Sequence, residues 1–403
     1  MAAATGIGLA LGILYAWSVI KGGIPDSWGW SNSQKALPYS AGCLVFALTM
    51  VPAGRLQDRL GPRWVATIGG LLTGLGCIIA GLSGSSLAGF VLGFGVVTGI
   101  GIGFGYSCTT PAVIKWFPPH RTGLVTGIVV AGFGLAPVYI APLCSWLLRH
   151  FQRTSPAGVV EKGVSSTMIV LGAGFLLAIT LFSQLLRNPP ESRAGAAAAN
   201  KAVAATDLPW QRMLRTPQFW LLYVMFFCGA GAGLTFISVA QDLGKRSLGE
   251  WAFFAVAVLA VGNASGRVVA GVLSDRIGRQ WTMFAAFVGQ ALVVAALYWV
   301  GGHQGGWPVT LLVLVTLGLN YGSNLALFPA ASKDYFGLKS FGVNYGFLFT
   351  SWGASGLCMP WLNGLIKDAT GKTDLSYAII VGMLGLAAVL SLISRRLGRP
   401  AAA

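Results

Sequence analysis

The chain has 403 residues, of which 55% are hydrophobic and 9% charged, a balance that excludes a soluble protein built on one apolar core. Its formal net charge of +16 would suggest nucleic acid as a partner of a soluble chain, but here the basic residues sit between apolar runs, as the positive-inside bias requires, and no nucleic acid is implied. The class that remains is a polytopic, all-α membrane protein in a lipid bilayer.

Apolar runs bounded by charged or turn residues predict twelve transmembrane helices, near residues 4–22, 35–54, 64–83, 87–114, 122–148, 163–186, 218–240, 250–273, 281–301, 307–330, 341–365 and 376–394. The first run, from Ala4 to Ile20, has no basic segment before it and reads as a first span rather than a cleaved signal. After six helices the apolar pattern stops, because residues 187–217 are Ala-rich and polar. The expected division is an N-terminal six-helix bundle (1–187), a cytoplasmic linker (188–217) and a C-terminal six-helix bundle (218–403). With both termini on the cytoplasmic side of the cell (inner) membrane, 17 of the 27 Lys and Arg residues fall in inner loops and 9 in outer loops. The excess favours that orientation. The residue left over is Arg267, inside a span.

Several apparent motifs carry no chemistry. The six cysteines, at 43, 77, 108, 144, 228 and 358, lie in apolar runs without a C-x-x-C pair, so neither a disulfide nor a metal site is expected. No cofactor is expected either. The glycines at 93, 95, 99, 101, 103 and 105 follow no strand and read as small residues for close helix packing.

Arg267 belongs to the run between Glu250 and Asp275, 25 residues that span ~37 Å as a helix. It lies ~12 Å from the charges at one end and ~25 Å from Glu250 at the other, which is hydrocarbon depth. A cation there costs at least ~2.5–3.5 kcal/mol on insertion scales, so it should face protein, water or an anionic ligand. An anion site in a transporter satisfies this. The alternative is a side chain that snorkels to the interface or pairs with a helix-end carboxylate, although Asp275, eight residues on, is out of direct reach. Asn263 precedes Arg267 by one helical turn on the same face.

The chain also repeats itself. Gly54-Arg-Leu-Gln-Asp58-Arg59-Leu-Gly61 after the second helix recurs as Gly271-Val-Leu-Ser-Asp275-Arg276-Ile-Gly278 after the eighth. The glycines permit tight turns, and Asp and Arg can hydrogen-bond across a short loop. The duplicated loop resembles the inner-loop motif of the major facilitator superfamily. That resemblance implies two pseudo-symmetric bundles rocking about a central site, with these loops latching the cytoplasmic side in the outward-open state.

Three further stretches narrow it: Lys115-Trp116-Phe117-Pro118-Pro119-His120-Arg121 with Gly123 and Gly127, Met213-Leu214-Arg215-Thr216-Pro217-Gln218-Phe219-Trp220, and Asn344-Tyr345-Gly346-Phe347. With Asn263 and Arg267 they are similar to the oxalate/formate antiporter family and the related monocarboxylate transporters, most of all to bacterial lactate transporters. The resemblance implies small carboxylates as substrates, and the family's arginine of the eighth helix matches Arg267. Where oxalate exchangers carry a lysine in helix 11, this chain has Trp352. A dicarboxylate would then have one cation and no second partner, which is expensive in a desolvated site. Trp352 favours a monocarboxylate with an apolar tail, or else it only packs between helices with its indole N–H bonded elsewhere. Where animal monocarboxylate transporters carry an aspartate implicated in proton coupling, this chain has Asn263, and an amide takes up no proton.

All eleven carboxylates and the three histidines fall in loops or at span ends. A coupling proton would therefore travel on the substrate, or on an end group such as Asp242 or Glu250. Around Arg267 and Asn263 the candidate substrate-binding residues are Tyr15, Tyr106, Tyr321, Asn324, Phe349 and Trp352, with Asn320 beside them. Tyr106 and Tyr321 can each offer a hydroxyl to a carboxylate and a ring to an alkyl chain. Their alternative is packing or interfacial anchoring.

An enzyme is not expected, because no nucleophile, base or metal cluster gathers at one place. Efflux of organic cations would call for a midplane carboxylate, and a channel would not call for two matching halves. The expected molecule is a monomeric secondary transporter working by alternating access and moving a small monocarboxylate, lactate- or pyruvate-like, in proton symport. The alternative is exchange of the oxalate/formate type.

Overall fold

The computed structural model describes residues 1–114, 116, 122–154, 160–187, 208–300, 306–337 and 340–398, without the side chains of 58, 111, 114, 122–126, 246 and 298–300. The Asp58 side chain, residues 188–207 of the expected linker, His120, His303 and most of the Lys115–Arg121 stretch therefore lie outside the described residues.

Among the described residues twelve long helices follow one another: α1 (Ala2–Lys21), α2 (Asn32–Leu60), α3 (Pro62–Leu82), α4 (Leu87–Phe90, Val91–Thr98 and Gly99–Ile114 in continuous succession), α5 (Thr122–Leu135 and Pro137–His150), α6 (Val164–Ser183), α7 (Pro217–Leu248), α8 (Phe253–Ile277), α9 (Arg279–Val300), α10 (Trp307–Phe336), α11 (Phe341–Thr370) and α12 (Asp374–Leu397). Among the described residues, eleven are long and apolar enough to cross a membrane. The exception, α11, has the length, at 30 residues, but buries Asn344, Ser351, Ser355 and Asn363 among its apolar residues. Protein neighbours, rather than lipid, surround that polarity. One small departure from an all-helical chain is an antiparallel ribbon after α5, in which β1 (Arg153–Thr154) pairs with β2 (Val160–Glu161).

Several helices run past their expected ends, α7 to Leu248 and α10 to Phe336. The apolar pattern ends where the hydrocarbon does, whereas the helix continues until a cap or a glycine stops it. At the start of α2 the Ser31 hydroxyl accepts from the Gln34 N–H at 3.3 Å and the Gln34 side chain accepts from the Ser31 N–H at 2.9 Å, a reciprocal cap. The repeated loops end their helices on Gly61 (φ 81°, ψ 163°) and Gly278 (φ 91°, ψ 156°). Nearly equal dihedrals of a kind disfavoured for other residues explain why both copies keep glycine there.

Burial sorts the helices. In the most apolar window of α1 and of α7, 78% of residues are buried, against 28% in α9 and 33% in α12. α3, α6, α9 and α12 turn leucines and tryptophans such as Leu75, Leu181, Trp281 and Leu386 outward, as lipid-facing helices do. The first six helices meet the last six mainly through α2 against α11, α5 against α8 and α1 against α7. The glycines of α4 serve close packing: a Cβ at Gly95 or Gly103 would press on Ala41 or Thr49 of α2 at 2.9 and 2.7 Å, and one at Gly93 on the Ala80 backbone of α3 at 2.6 Å.

Candidate functional site

Arg267 is set by the packing of α8 against α10. A Cβ at Gly262 or Gly266 would overlap the carbonyl of Val315 or Leu319, and one at Gly318 or Gly322 that of Leu259 or Asn263. Four glycines thus press two backbones together along one face of α8. Asn263 and Arg267, each one residue on, are turned by about 100° toward α5 and the middle of the molecule.

There the arginine is 8% exposed. Its Nη1 donates to the Val130 carbonyl of α5 at 2.8 Å and its Nε to the Asn263 amide oxygen at 3.4 Å. Nη2 is buried with no hydrogen-bond partner, and so is the amide nitrogen of Asn263. Both orphan donors border Gly134 of α5, where a Cβ would stand 3.4 Å from Nη2 and 3.6 Å from the Asn263 nitrogen. Among the described residues Arg267 makes no salt bridge; the pairs formed by Asp242, Asp26, Glu250, Asp275 and Asp334 all lie at helix ends. A full positive charge and two unused N–H donors therefore sit side by side in the interior, complementary to an anion with two oxygens.

Aromatic side chains enclose this charge. The Tyr106 hydroxyl of α4 faces the Arg267 guanidinium, and its ring meets Phe133 of α5 and Phe46 of α2 edge-on at 5.1 and 5.5 Å. Tyr15 of α1 packs edge-on against Phe133 at 5.0 Å and shares a 2.7 Å hydroxyl–hydroxyl bond with Tyr321 of α10. The Trp352 indole N–H of α11 donates to the same Tyr321 oxygen at 2.9 Å, and its ring stacks on Phe349 at 4.9 Å. Phe46 touches Phe349 and Trp352 at 5.5 and 5.4 Å. The result is a layer of seven rings crossing from the first six helices to the last six.

The structure thus brings together Arg267, Asn263, Tyr106, Tyr15, Tyr321, Phe349 and Trp352. It does not bring in Asn320 and Asn324. Asn324 donates to the Asn320 carbonyl at 3.0 Å and turns its amide oxygen toward Gly229 of α7, and Asn320 donates to Thr316 at 2.9 Å. Asn324 thus faces α7, and the Asn320 amide oxygen lies beside Gly289 of α9. Trp352 has its N–H satisfied by Tyr321 and its ring in the central layer. Phe46, Phe133 and Gly134 were not foreseen. Phe46 has no signal in a run of apolar residues, whereas Gly132-Phe133-Gly134 just before Pro137 marks a ring flanked by close-approach positions where a helix is interrupted.

The repeated loops share a turn but not their wiring. In the second copy Arg279, not Arg276, binds Asp275 at 2.7 Å, Asp334 at 3.2 Å and the Ser274 hydroxyl; Arg276 is exposed. In the first copy Arg59 is exposed, and Arg63 reaches Gln184, which caps the end of α6, at 2.7 Å. These bonds stay within one set of six helices. Among the described residues, the salt bridges that cross between the sets, Lys21–Asp242 and Arg149–Glu250, both at 4.0 Å, lie on the opposite face. There the Asp368 carboxylate of α11 also accepts from the Asn32 and Ser33 N–H groups of α2 at 2.8 Å and from the Asn32 amide at 2.9 Å. The face far from the termini is therefore the one fastened in this conformation.

Comparison with known proteins bears on the family and the fold. The family model described as Major Facilitator Superfamily matches residues 2–299 and 233–403. The chain is 28% identical to the oxalate:formate antiporter of Oxalobacter formigenes, over 96% of this chain and 89% of that one. It is 27% identical to monocarboxylate transporter 11 of Homo sapiens, over 86% and 72%. Among solved structures it is similar to the xylose transporter XylE from E. coli, in a partially occluded inward-open conformation, with a TM-score of 0.70 at 16% identity over 97% of this chain and 96% of that one. Twelve helices, a duplicated Gly-terminated loop and a matching family model over nearly the whole length lead to one conclusion: the chain belongs to the major facilitator superfamily.

Proposed function

We propose that this protein is a secondary transporter of small monocarboxylates, lactate- or pyruvate-like, that moves its substrate with a proton by alternating access. The observation that carries the proposal is the buried Arg267, whose free Nη2 lies beside the free amide nitrogen of Asn263. A carboxylate bound there gains charge-assisted bonds that are strongest when the site is dry, and it neutralises the arginine during occlusion. Tyr106 is placed to orient the anion. Phe46, Phe133, Phe349 and Trp352 offer apolar surface to a short alkyl tail, and among the described residues the side chains brought together around Arg267 include no second cation for a second carboxylate. The relatives named for oxalate, formate and monocarboxylates support the substrate class. A monomer in the cell membrane with cytoplasmic termini belongs to the same proposal.

Exchange of carboxylates, as in the Oxalobacter antiporter, is the second reading. It is favoured by the absence of a carboxylate or histidine beside Arg267 among the described residues. Uptake of labelled lactate into proteoliposomes separates the two. Symport requires accumulation that follows an inward proton gradient and is abolished in Arg267→Gln; uptake that ignores the gradient but needs preloaded oxalate or formate means exchange. Transport indifferent to Arg267→Gln would remove the residue on which the proposal stands.

A further inference from the structure

Four phenols surround Arg267, and three of them are engaged. Tyr15 and Tyr321 share a hydroxyl bond at 2.7 Å and the Trp352 N–H donates to Tyr321 at 2.9 Å, while the Tyr106 hydroxyl faces the guanidinium. The fourth is Tyr345 of α11, from the Asn344-Tyr345-Gly346-Phe347 stretch, which lies within electrostatic reach of both Arg267 and Tyr106. Its ring stands in a file along one face of α11, parallel to Phe341 at 5.8 Å and tilted against Phe349 at 5.7 Å, and Phe349 in turn stacks on Trp352 at 4.9 Å. Steps of four, four and three residues keep the four rings on that face. Phe349 and Trp352 are buried, whereas Tyr345 and Phe341 are half-buried, so the file leads from the closed centre toward the start of α11. The Tyr345 hydroxyl makes no hydrogen bond among the described residues.

An uncommitted hydroxyl beside an anion site has a use if the substrate carries a third oxygen. Lactate and pyruvate differ from a plain short acid such as propionate by one oxygen, on the carbon next to the carboxylate. With the carboxylate on Arg267 and Asn263 and the methyl group against the ring layer, that oxygen is the polar group left to satisfy. A phenol serves both acids, because it donates to the keto oxygen of pyruvate and either donates to or accepts from the hydroxyl of lactate. We propose that Tyr345 selects 2-hydroxy and 2-oxo acids, its hydroxyl binding the oxygen on C2. This rests on the carboxylate reading of the central site and narrows its substrate class. A plain aliphatic acid forgoes the bond, which is how a polar site rejects an analogue that lacks one group. Since Tyr345 is half-buried, water recovers part of the loss, and the selection is on the scale of one net hydrogen bond.

The test is inhibition of labelled-lactate exchange in lactate-loaded proteoliposomes, at equal pH on both sides, by unlabelled lactate, pyruvate, propionate and 3-hydroxypropionate. In the native protein pyruvate should half-inhibit at about the same concentration as lactate. Propionate, and 3-hydroxypropionate with its hydroxyl on the wrong carbon, should need about tenfold more, the upper value of one net hydrogen bond. This comparison needs no variant. Tyr345→Phe keeps the file of rings and should raise the lactate and pyruvate concentrations about tenfold while leaving propionate within about twofold, so that the selection disappears. Tyr106→Phe, which alters the carboxylate end, should weaken all four acids together and keep their ratio. Equal inhibition by propionate and lactate in the native protein, or selection unchanged in Tyr345→Phe as a packing role requires, would each overturn the proposal and leave the carrier reading standing. Native protein that exchanges no lactate would remove the carrier reading and this assignment with it, so the two failures are told apart.

Discussion

Arg267 has three nitrogens to satisfy in a protein interior, and only two of them, Nη1 and Nε, find partners, both neutral. Removing its charge should therefore leave the fold intact while removing the anchor. Arg267→Gln is expected to lower lactate uptake at least about a hundredfold, the scale of a buried charged contact of ~3 kcal/mol, with little change in melting temperature. Gly134→Ala makes a sharper test. Its new methyl would touch both orphan donors at ordinary contact distances, so stability should hold while KM rises several-fold. Tyr321→Phe removes the oxygen shared by Tyr15 and Trp352; two net hydrogen bonds of ~1 kcal/mol each predict roughly a tenfold or greater loss in kcat/KM. Arg267 and Asn263 were legible in the sequence because charge and amide are rare inside an apolar run and lie one turn apart. Phe46 and Phe133 were not, since one ring among 22 phenylalanines carries no sign of which neighbour it will meet.

At the scale of the element, α8 is positioned by what it lacks. Gly262 and Gly266 let the α10 backbone approach so closely that no side chain fits between them. Gly266→Leu must therefore push α10 away from Arg267, and overpacking of this kind costs ~1–3 kcal/mol or more. A clear drop in thermal midpoint together with lost uptake is expected, whereas the same change at Gly271, which has nothing within 4 Å of its would-be Cβ, should alter neither. That the two repeated loops would end in tight glycine turns could be read from the repeat. That Arg279 rather than Arg276 would bind Asp275 could not, because the choice depends on Asp334 of α10 arriving at the same place.

For the whole molecule, the contacts between the two sets of helices decide which face opens. Asp368 caps the start of α2 from across the interface, a negative charge at the positive end of a helix dipole. Loss of such a cap costs ~0.5–2 kcal/mol. Asp368→Asn should therefore shift the population toward states open on this face. A cysteine placed at Ser40, which is fully buried in α2, reports the shift: its labelling by a membrane-impermeant maleimide should rise about fivefold in the Asp368→Asn background, and unchanged labelling would show that the cap does not hold the face shut.

Composition and periodicity alone determined that this is a membrane protein of twelve helices with a charge at hydrocarbon depth, because a bilayer admits few solutions: every span must be apolar, long enough and helical. The repeat determined that the two ends of the chain are related. Tertiary structure decided which side chains share the centre, which arginine closes the repeated loop and which face is fastened. Each of these depends on how far one helix is rotated and shifted against another, and that is settled by glycine contacts, ring packing and hydrogen bonds between residues as distant in sequence as Tyr15 and Tyr321.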